Sequence, residues 1–292
     1  MERFGKTKGL LIHFEEMQVT GSMEYVVSLV KEMIRKRKII WDLAKADFRK
    51  RFVGSYFGVV WMFVQPIVTV LIYFMIFGPY GFKSTPPVPA PYVLWLVPGI
   101  VPWFFFSEAL NTETGCLQEY SYLVKKVVFP VEVLPVLKLL SSAMVHGFFV
   151  LIMFGLNLCY GWWPRLSWLQ IAYYSFAASM LALAIGYLTS AVHVFFKDMS
   201  QLVGICLQFG MWMVPIMYDE GMFTGKLPQL EVVFKLNPVY YIVVGYRDSM
   251  LTGDWFWERP TLTLYFWAVT TVLMLLGLKV FKRLRPHFSD VL

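Results

Sequence analysis

Runs of about twenty residues with almost no charge recur along this chain, and 57–77 and 262–281 are two of them. A helix of that length is about 30 Å long, which matches the hydrocarbon core of a bilayer. Because no water reaches that core, the backbone must satisfy its own N–H and C=O groups, and a helix does so within one segment. The sequence therefore predicts an all-α integral membrane protein.

The composition favours a membrane protein over a pair of soluble domains. Of the 292 residues, 58% are hydrophobic and only 15% are charged, whereas soluble domains carry about 25% charged residues. The net charge of +7 is also found in nucleic-acid-binding proteins, but here twelve of the 26 Lys and Arg residues lie before position 57. That uneven placement favours contact with membrane lipids, and we predict no nucleic-acid partner.

The positions of the basic residues also predict an orientation. Nineteen Lys and Arg residues lie on the side of the termini and six on the opposite side. Under the positive-inside rule both termini are cytoplasmic, so the number of spans is even, and we predict six. The transmembrane domain, 57–281, follows an N-terminal cytoplasmic region, 1–56, and precedes a cytoplasmic tail, 282–292. The six spans cover about 57–77, 94–113, 131–158, 167–193, 202–218 and 262–281.

The segment 31–52 is amphipathic. Apolar residues such as Ile40 and Ala44 recur at helical spacing, and Lys and Arg fill the gaps. A helix of this kind lies in the cytoplasmic headgroup layer with its cations toward anionic lipid. We interpret it as an interfacial helix that is either a moving functional part or a simple anchor. Its cationic and aromatic candidates are Arg35, Lys36, Arg37, Lys38, Trp41, Arg49 and Arg51.

The stretch 219–260 is too apolar for a loop and too short for two further spans. Asn237 and Pro238 are a strong helix start, since Asn caps a helix and Pro is favoured at its first position. We predict two short, half-buried re-entrant helices here, on the outer face between the fifth and sixth spans. In the second span, Pro98 and Pro102 are expected to break the outer end of the helix.

Patterns typical of an enzyme or a metal site are missing from the sequence. It has no complete Walker A signature and no His and Cys spacing typical of zinc. Cys116, Cys159 and Cys206 are interpreted as apolar packing residues. Carboxylates are also missing from the middle of the predicted spans, which disfavours an ion-driven carrier. We therefore expect no catalytic residue, metal or cofactor on this chain, and we expect a partner to supply the energy for any uphill transport.

Polar and aromatic stripes follow two of the predicted spans. Residues four apart share one helix face, and such faces in spans one and five combine amides with aromatic rings. They fit either the lining of a path for a sugar-rich or phosphate-rich substrate, or helix–helix packing with interhelical hydrogen bonds. The path candidates are Trp61, Gln65, Thr69, Tyr73, Gln201, Gln208 and Trp212. A third stripe of Lys138, Ser142 and His146 is interpreted as packing, with Lys138 extended to the inner interface.

Five segments, taken in order, resemble one family. They are 40–78, 97–110 (VPGIVPWFFFSEAL), 123–135 (LVKKVVFPVEVLP), 194–218 and 236–251 (LNPVYYIVVGYRDSML). Together they resemble the permease subunits of ATP-binding-cassette exporters for bacterial surface polysaccharides, over about 40–285. The stretches 91–105 and 160–176 look most like the permease of the wall teichoic acid exporter, and O-antigen exporter permeases are close relatives of it.

The resemblance implies an assembly in a bacterial cytoplasmic membrane. A homodimer of this chain would bind two copies of a separate cytoplasmic ATPase, which would bind the ATP and Mg. The substrate would be a polymer linked to undecaprenyl diphosphate. Six spans, an interfacial helix and outer gate helices are also implied, in agreement with the residue patterns above.

The same resemblance assigns roles to several residues. The segment 114–130 would be a coupling segment seated on the ATPase, or alternatively a solvated basic turn. Its candidate residues are Glu119, Tyr120, Lys125 and Lys126. The interfacial helix would flank the inner entrance, where its cations would meet the diphosphate. The outer gate residues would be Asn237, Pro238, Tyr240, Tyr241 and Arg247. For Arg247, contact with an anionic polymer competes with an interaction with Asp248 and with plain exposure.

The leading hypothesis is thus the membrane subunit of an ATP-driven exporter of lipid-linked wall teichoic acid. Export of another lipid-linked polysaccharide, such as O-antigen or capsule, is the first alternative. A membrane-embedded polyprenyl-lipid transferase is a further alternative, which would need clustered carboxylates or metal ligands near one interface. The repeat unit of the polymer, and whether it is threaded or flipped whole, do not follow from the sequence.

Overall fold

A computed structural model describes residues 22–51, 56–82, 86–125, 130–224 and 229–292. Within them, five helices are long and apolar enough to cross a membrane. They are Gly58–Phe77, Tyr92–Glu119, Val133–Cys159, Leu166–His193 and Pro260–Val291. All regular structure in the described ranges is helical, which confirms the prediction of an all-α, multi-pass membrane protein.

The α-helices are numbered in chain order. They are α1 Ser22–Arg35, α2 Arg37–Lys50, α3 Trp61–Phe77, α4 Tyr92–Glu119, α5 Ser121–Val124, α6 Val133–Cys159, α7 Gln170–His193, α8 Met199–Met213, α9 Gly221–Thr224, α10 Gln229–Leu236, α11 Pro238–Arg247, α12 Pro260–Leu284 and α13 Phe288–Val291. Short 3-10 turns precede α3 and α7, and a π turn, Asp248–Thr252, follows α11.

Helix α11 begins where the sequence predicts a helix start. The side chain of Asn237 accepts a hydrogen bond from the Val239 N–H at 3.0 Å, and Pro238 occupies the first helical position. The first N–H groups of a helix have no partner within it. The cap satisfies one of these groups and proline lacks another, so the local sequence is sufficient to start the helix.

Helix α4 lies at the centre of the bundle. It packs against α6, α7 and α11, and the side chains of Leu94, Leu96 and Ile100 on it are fully buried. Pro98 and Pro102 lie inside this continuous helix, so the prediction that they break its outer end is wrong. Proline removes a backbone hydrogen bond from a helix, but packing on several sides keeps α4 helical here.

Helices α7 and α12 pack backbone to backbone. A Cβ atom added at Gly277 would lie 2.6 Å from the carbonyl oxygen of Ala184. Only glycine fits such an approach, and small residues of this kind are a common basis of helix association in membranes. The last long helix is therefore fixed to the bundle by direct contact with α7.

Helices α3 and α8 lie at the periphery. Helix α3 has no buried residue, and the buried residues of α8 are Val203 and Leu207. Large apolar side chains such as Leu71 and Phe209 are 54% and 64% exposed in the single chain. Apolar faces of this extent are covered by lipid or by another chain.

The predicted fifth span, 202–218, is only partly helical. Helix α8 has 15 residues and is therefore about 22 Å long, less than the roughly 30 Å of a hydrocarbon core. After it ends, 214–218 continues as buried irregular chain. Irregular backbone at membrane depth is tolerated where protein surrounds it. Five long apolar helices are found in the described residues, and six spans remains a prediction.

Three further segments differ in detail from their predictions. The amphipathic segment 31–52 is interrupted at Lys36, so it belongs to two helices, α1 and α2. The connection 114–130 is partly helical, because α4 continues to Glu119 and α5 follows it. In 219–260 the short helices α9, α10 and α11 occur, and α11 is mostly buried rather than half-buried. Their role as an outer gate remains a prediction.

Candidate functional site

A cluster of ionised side chains joins α2, α4 and α6 at the end of the bundle that is predicted to be cytoplasmic. Helix α2 packs against α6 and buries Ile40, Ala44 and Asp47. The carboxylate of Asp47 accepts hydrogen bonds from Lys138 Nζ at 2.6 Å and from the Tyr120 hydroxyl at 2.7 Å. A helix that looks like a surface anchor is thus tied into the core through its one buried carboxylate.

Lys138 is the centre of this cluster. Its Nζ also donates to Glu119 at 2.7 Å, and Glu119 accepts from Lys50 at 2.9 Å. The side chain of Lys138 is only 5% exposed, so the interpretation that it extends to the inner interface is wrong. The lysine instead satisfies two carboxylates from different helices. We define the inner ion cluster as Asp47, Lys50, Arg51, Glu108, Glu119, Tyr120 and Lys138.

The electrostatics of the cluster depend on complete pairing. Burial raises the pKa of Asp47, but hydrogen bonds from Lys138 and Tyr120 outweigh burial and hold that pKa below its usual value. Lys50 is exposed, and its hydrogen bond to Glu119 raises its pKa. Removal of one partner from a buried ion pair is costly because it leaves the other charge desolvated and unpaired.

The predicted coupling residues divide into two groups. Glu119 and Tyr120 belong to the inner ion cluster, so their side chains bond to other residues of this chain. Lys125 is exposed at the end of α5, whereas Lys126 lies outside the described residues. Lys125 and Tyr122, which is 57% exposed, are therefore exposed residues through which this connection would contact a partner.

The residues of the predicted interfacial helix divide in the same way. Three of its cations are paired: Lys36 donates to Glu32 at 2.8 Å, Arg35 lies 3.8 Å from the same carboxylate, and Arg51 bonds to Glu108 and, at 3.2 Å, to Ser142. The candidates with exposed side chains are Arg35, Arg37, Lys38, Trp41 and Arg49. These exposed cations and Trp41 lie on the surface that a membrane or a ligand would contact.

Sequence reasoning missed Asp47, Lys138 and Glu108 as site residues. A signal for Asp47 was present, since it follows Ile40 and Ala44 at helical spacing on the apolar face of α2. A carboxylate on that face requires a partner. The identity of the partner, 91 positions away in the sequence, was not accessible from local patterns.

A partly open cavity lies beside the cluster, between α3, α4 and α6. Its volume is about 400 Å³, and its walls include the path candidates Trp61 and Gln65. The cluster members Arg51 and Glu108 also line it. The structure therefore brings two candidates from the first span together with one cation of the interfacial helix.

The other path candidates lie elsewhere. The Tyr73 hydroxyl is 3.5 Å from the sulfur of Met211 on α8, and Thr69 bonds back to the Gln65 carbonyl at 2.9 Å. On α8, the candidate side chains are exposed in the single chain, namely Gln201, Gln208 and Trp212. Tyr73 thus contacts α8 at a residue outside the candidate stripe of that helix, and the role of either stripe as a path remains a prediction.

On the other side of the bundle, Arg247 is buried. Its guanidinium donates to the carbonyl oxygens of Trp95 at 3.2 Å, Pro215 at 2.8 Å and Ile216 at 2.6 Å. It also stacks on the Trp95 ring, 3.5 Å from the centroid, in space left by Gly99. Arg247 therefore holds the irregular chain after α8 against α4.

The surroundings of Arg247 rule out plain exposure, because the residue is only 8% exposed. Burial lowers the pKa of Arg247 to about 9, so it remains a cation at neutral pH. Its neighbour Asp248 pairs with Arg259 at 3.0 Å, and burial raises the pKa of Asp248 to about 6 although the charges of Arg259 and Arg247 lower it. Arg247 therefore acts on Asp248 through its charge, while its hydrogen bonds go to backbone carbonyls.

The two tyrosines assigned to the outer gate are also buried. Tyr240 donates to Glu220 at 2.8 Å, and the Tyr241 hydroxyl is 3.0 Å from that of Tyr173. These contacts join α11 to the segment before α9 and to α7. Among the residues that the structure describes, no group of His, Cys, Asp or Glu has the arrangement of a metal site.

We expect Arg247→Lys to lower the free energy of unfolding by about 2–4 kcal/mol, because charged hydrogen bonds contribute about 1.5–3 kcal/mol each. Lysine keeps the charge, but it lacks the planar fork that reaches several carbonyls and stacks on an aromatic ring. Denaturant unfolding of the purified protein measures the change. The matched control Arg259→Lys alters a partly exposed pair, and we expect it to cost roughly 1 kcal/mol or less. An unchanged stability of Arg247→Lys would contradict the structural role.

Comparison with known proteins gives a match to one family model and to several named relatives. A family model described as ABC-2 type transporter matches residues 39–251. The chain is similar to the O-antigen export system permease protein RfbA of Klebsiella pneumoniae, with 26% identity over 86% of this chain and 93% of the relative. It is also similar to the protein of that name from Myxococcus xanthus, with 23% identity over 91% of this chain and 99% of the relative. The polysialic acid transport protein KpsM of Escherichia coli is 23% identical over 81% of this chain and 89% of the relative.

Proposed function

This chain belongs to the ABC-2 type transporter family, and from that premise we propose that it is the membrane subunit of an ATP-driven exporter of lipid-linked polysaccharide. The observation that carries the proposal is the similarity along most of the chain to permease proteins named for the export of O-antigen and polysialic acid. The five long apolar helices of the structure are compatible with such a role.

The proposed cargo is wall teichoic acid linked to undecaprenyl diphosphate. The support for this cargo is the resemblance of 91–105 and 160–176 to the teichoic acid exporter permease. O-antigen or capsule is the second candidate, because the relatives are named for these polymers. A polyprenyl-lipid transferase has less support. The clustered carboxylates Asp47, Glu108 and Glu119 are each paired with a Lys or Arg, and the relatives are named for export or transport.

In the proposed assembly, two copies of this chain form a homodimer in a bacterial cytoplasmic membrane, with their termini on the cytoplasmic side. Each copy binds one cytoplasmic ATPase subunit, which holds the ATP and Mg. The peripheral position of α3 and α8, with their large exposed apolar faces, supports a conduit formed between two copies.

The inner ion cluster supports a route for mechanical coupling. The end of α4 and α5 would contact the ATPase through exposed groups such as Lys125 and Tyr122. Glu119 and Tyr120 would pass the resulting displacement to α2 and α6 through Asp47 and Lys138. At the opposite end, the fixed contact of Arg247 with the chain after α8 would link the outer helices to α4.

The test is ATP hydrolysis by the complex of this chain with its ATPase, reconstituted in lipid vesicles. We expect teichoic acid precursors on a polyprenyl diphosphate to stimulate hydrolysis more than neutral O-antigen precursors do. Stronger stimulation by O-antigen or capsule precursors would transfer the proposal to the second candidate. Nucleotide cleavage or gradient-driven uptake by this chain without the ATPase would overturn the exporter proposal.

A further inference from the structure

The cavity between α3, α4 and α6 has the size of a small-molecule site. Its volume of about 400 Å³ falls within the range of about 300–1,000 Å³ that is usual for ligand pockets. Trp61 is the first residue of α3, and Glu108 lies in the last three turns of α4. The cavity therefore extends from the membrane boundary that is predicted to be cytoplasmic to the middle of α4 and α6, where Phe105 and His146 line it.

The charges of the cavity do not favour an anion. Among the described residues that line the cavity, the side chains of Arg51 and Glu108 are those of the Lys, Arg, Asp and Glu types. These two side chains bond to each other. Arg51 also lies 3.6 Å from Asp47 and donates to Ser142. A diphosphate would have to displace two carboxylates from this arginine. The lining is thus close to neutral, and it is mostly apolar with a few polar groups.

The remaining polar groups are suited to hydroxyls. Gln65 and Asn111 line the cavity and are exposed to it or to its mouth. An amide can both donate and accept a hydrogen bond, as a hydroxyl does. Trp61 and Phe149 supply aromatic surface beside these amides. Aromatic rings next to neutral amides are suited to a sugar ring, whose C–H face is apolar and whose edge carries hydroxyls.

His146 forms part of the wall of the cavity. Its Nε2 is 2.8 Å from the Tyr246 hydroxyl and 3.1 Å from Ser175 Oγ, and its ring stacks on Phe105. Its Nδ1 is buried and is not exposed to the cavity. His146 therefore contributes ring surface to the wall and no hydrogen bond to a ligand.

We propose that this cavity binds the first sugar of a lipid-linked substrate, with the isoprenoid chain in the adjoining membrane. The inference rests on the proposed function, because the exporter's substrate supplies the lipid-linked sugar. It differs from the sequence expectation in one respect: the selected group here is the uncharged, hydroxyl-rich sugar and not the diphosphate. Recognition of that sugar would occur before the polymer enters the conduit.

The proposal is tested by equilibrium binding to the intact permease–ATPase complex in nanodiscs. The probes are an isoprenyl diphosphate that carries one N-acetylated hexose, the same isoprenyl diphosphate without sugar, and the free hexose. We expect the sugar-bearing lipid to bind about tenfold more tightly than the bare lipid, as one or two net hydrogen bonds predict. Equal binding of the two lipids would overturn the proposal. Equally tight binding of the free hexose would overturn its assignment to a lipid-linked ligand.

Two substitutions make the test specific. Asn111→Leu and Gln65→Met keep the approximate size of the side chain and remove its hydrogen bonds. We expect each to lower the preference for sugar by about threefold, and the double variant to lose most of the tenfold preference. Gln229→Met, at an exposed position of α10, is the matched control and should keep the preference.

The outcomes separate this inference from the proposed function. If the variants abolish a preference for sugar but polysaccharide precursors stimulate no ATP hydrolysis, the site is supported and the exporter proposal is refuted. Stimulated hydrolysis with an unchanged sugar preference in Asn111→Leu, Gln65→Met and their double variant would refute the site alone. Thermal unfolding of these variants excludes loss of binding through misfolding.

Discussion

Replacement of Lys138 with methionine is expected to lower the free energy of unfolding by about 3–5 kcal/mol, the usual cost of removing one partner from a buried ion pair. Lys138 and Asp47 are 5% and 2% exposed, so water cannot replace the lost ammonium group. The same substitution also releases Glu119 from α6. Denaturant unfolding of the purified protein measures the stability, and export by the reconstituted complex measures coupling.

Two further variants make this prediction decisive. Lys45→Met removes an exposed lysine from the same helix as Asp47, and we expect an effect within about 0.5 kcal/mol. The double variant Asp47→Asn with Lys138→Met removes both charges, so it should recover a large part of the stability lost in the single variant. If the two substitutions were simply additive, Asp47 and Lys138 would not interact energetically, and the coupling route through them would be refuted.

Charge reversal at Lys125 and Lys126 is expected to abolish ATP-dependent export and leave the permease folded. Lys125 is exposed and lies just after α5, so a glutamate there disturbs no packing. At a surface that docks another protein, repulsion between like charges costs several kcal/mol. If the free energy of docking weakens by several kcal/mol, export is expected to fall more than tenfold. The measurements are export into vesicles and stimulated ATP hydrolysis by the complex.

The control for this prediction is a second double reversal, Lys279→Glu with Arg283→Glu. Both residues are exposed, and they lie four apart at the end of α12 that is predicted to be cytoplasmic. The change in charge is the same, but the site lies outside the coupling segment. We expect export close to that of the unmodified protein. Normal export by the Lys125→Glu, Lys126→Glu protein would refute the coupling assignment and favour a solvated basic turn.

These two predictions test different links of one mechanism. The reversal at Lys125 and Lys126 acts at the proposed contact with the ATPase and should leave stability unchanged. The Lys138→Met substitution acts inside the chain, where Glu119 and Tyr120 meet α2. Loss of export with intact ATPase binding in Lys138→Met, together with loss of ATPase binding in the reversal variant, would place both residues on the proposed route.

The predicted features that the structure reproduces depend on neighbouring residues. Segments such as 57–77 are helical because a run of apolar residues in hydrocarbon must bond its own backbone. The start of α11 follows from Asn237 and Pro238 alone. The alignment of Trp61 and Gln65 on one face follows from helical periodicity, and both line the same cavity.

The incorrect predictions depend on distant partners. Pro98 and Pro102 do not end α4, because side chains from other helices pack around it. Lys138 does not extend to the interface, because Asp47 and Glu119 reach it in the interior. For Arg247, only the alternative of plain exposure is wrong, because the chain after α8 presents carbonyl oxygens to it in the interior.

The sequence by itself determined that this protein lies in a membrane and that its segments are helical. Those properties are sums over adjacent residues, and they need no knowledge of contacts. The tertiary structure alone decided which polar groups became partners, where the cavity lies and how far α8 extends. A buried charge or carbonyl takes whatever partner the packed helices bring within about 3 Å, and in this chain that partner is often more than 90 residues away, as for Lys138 and Asp47.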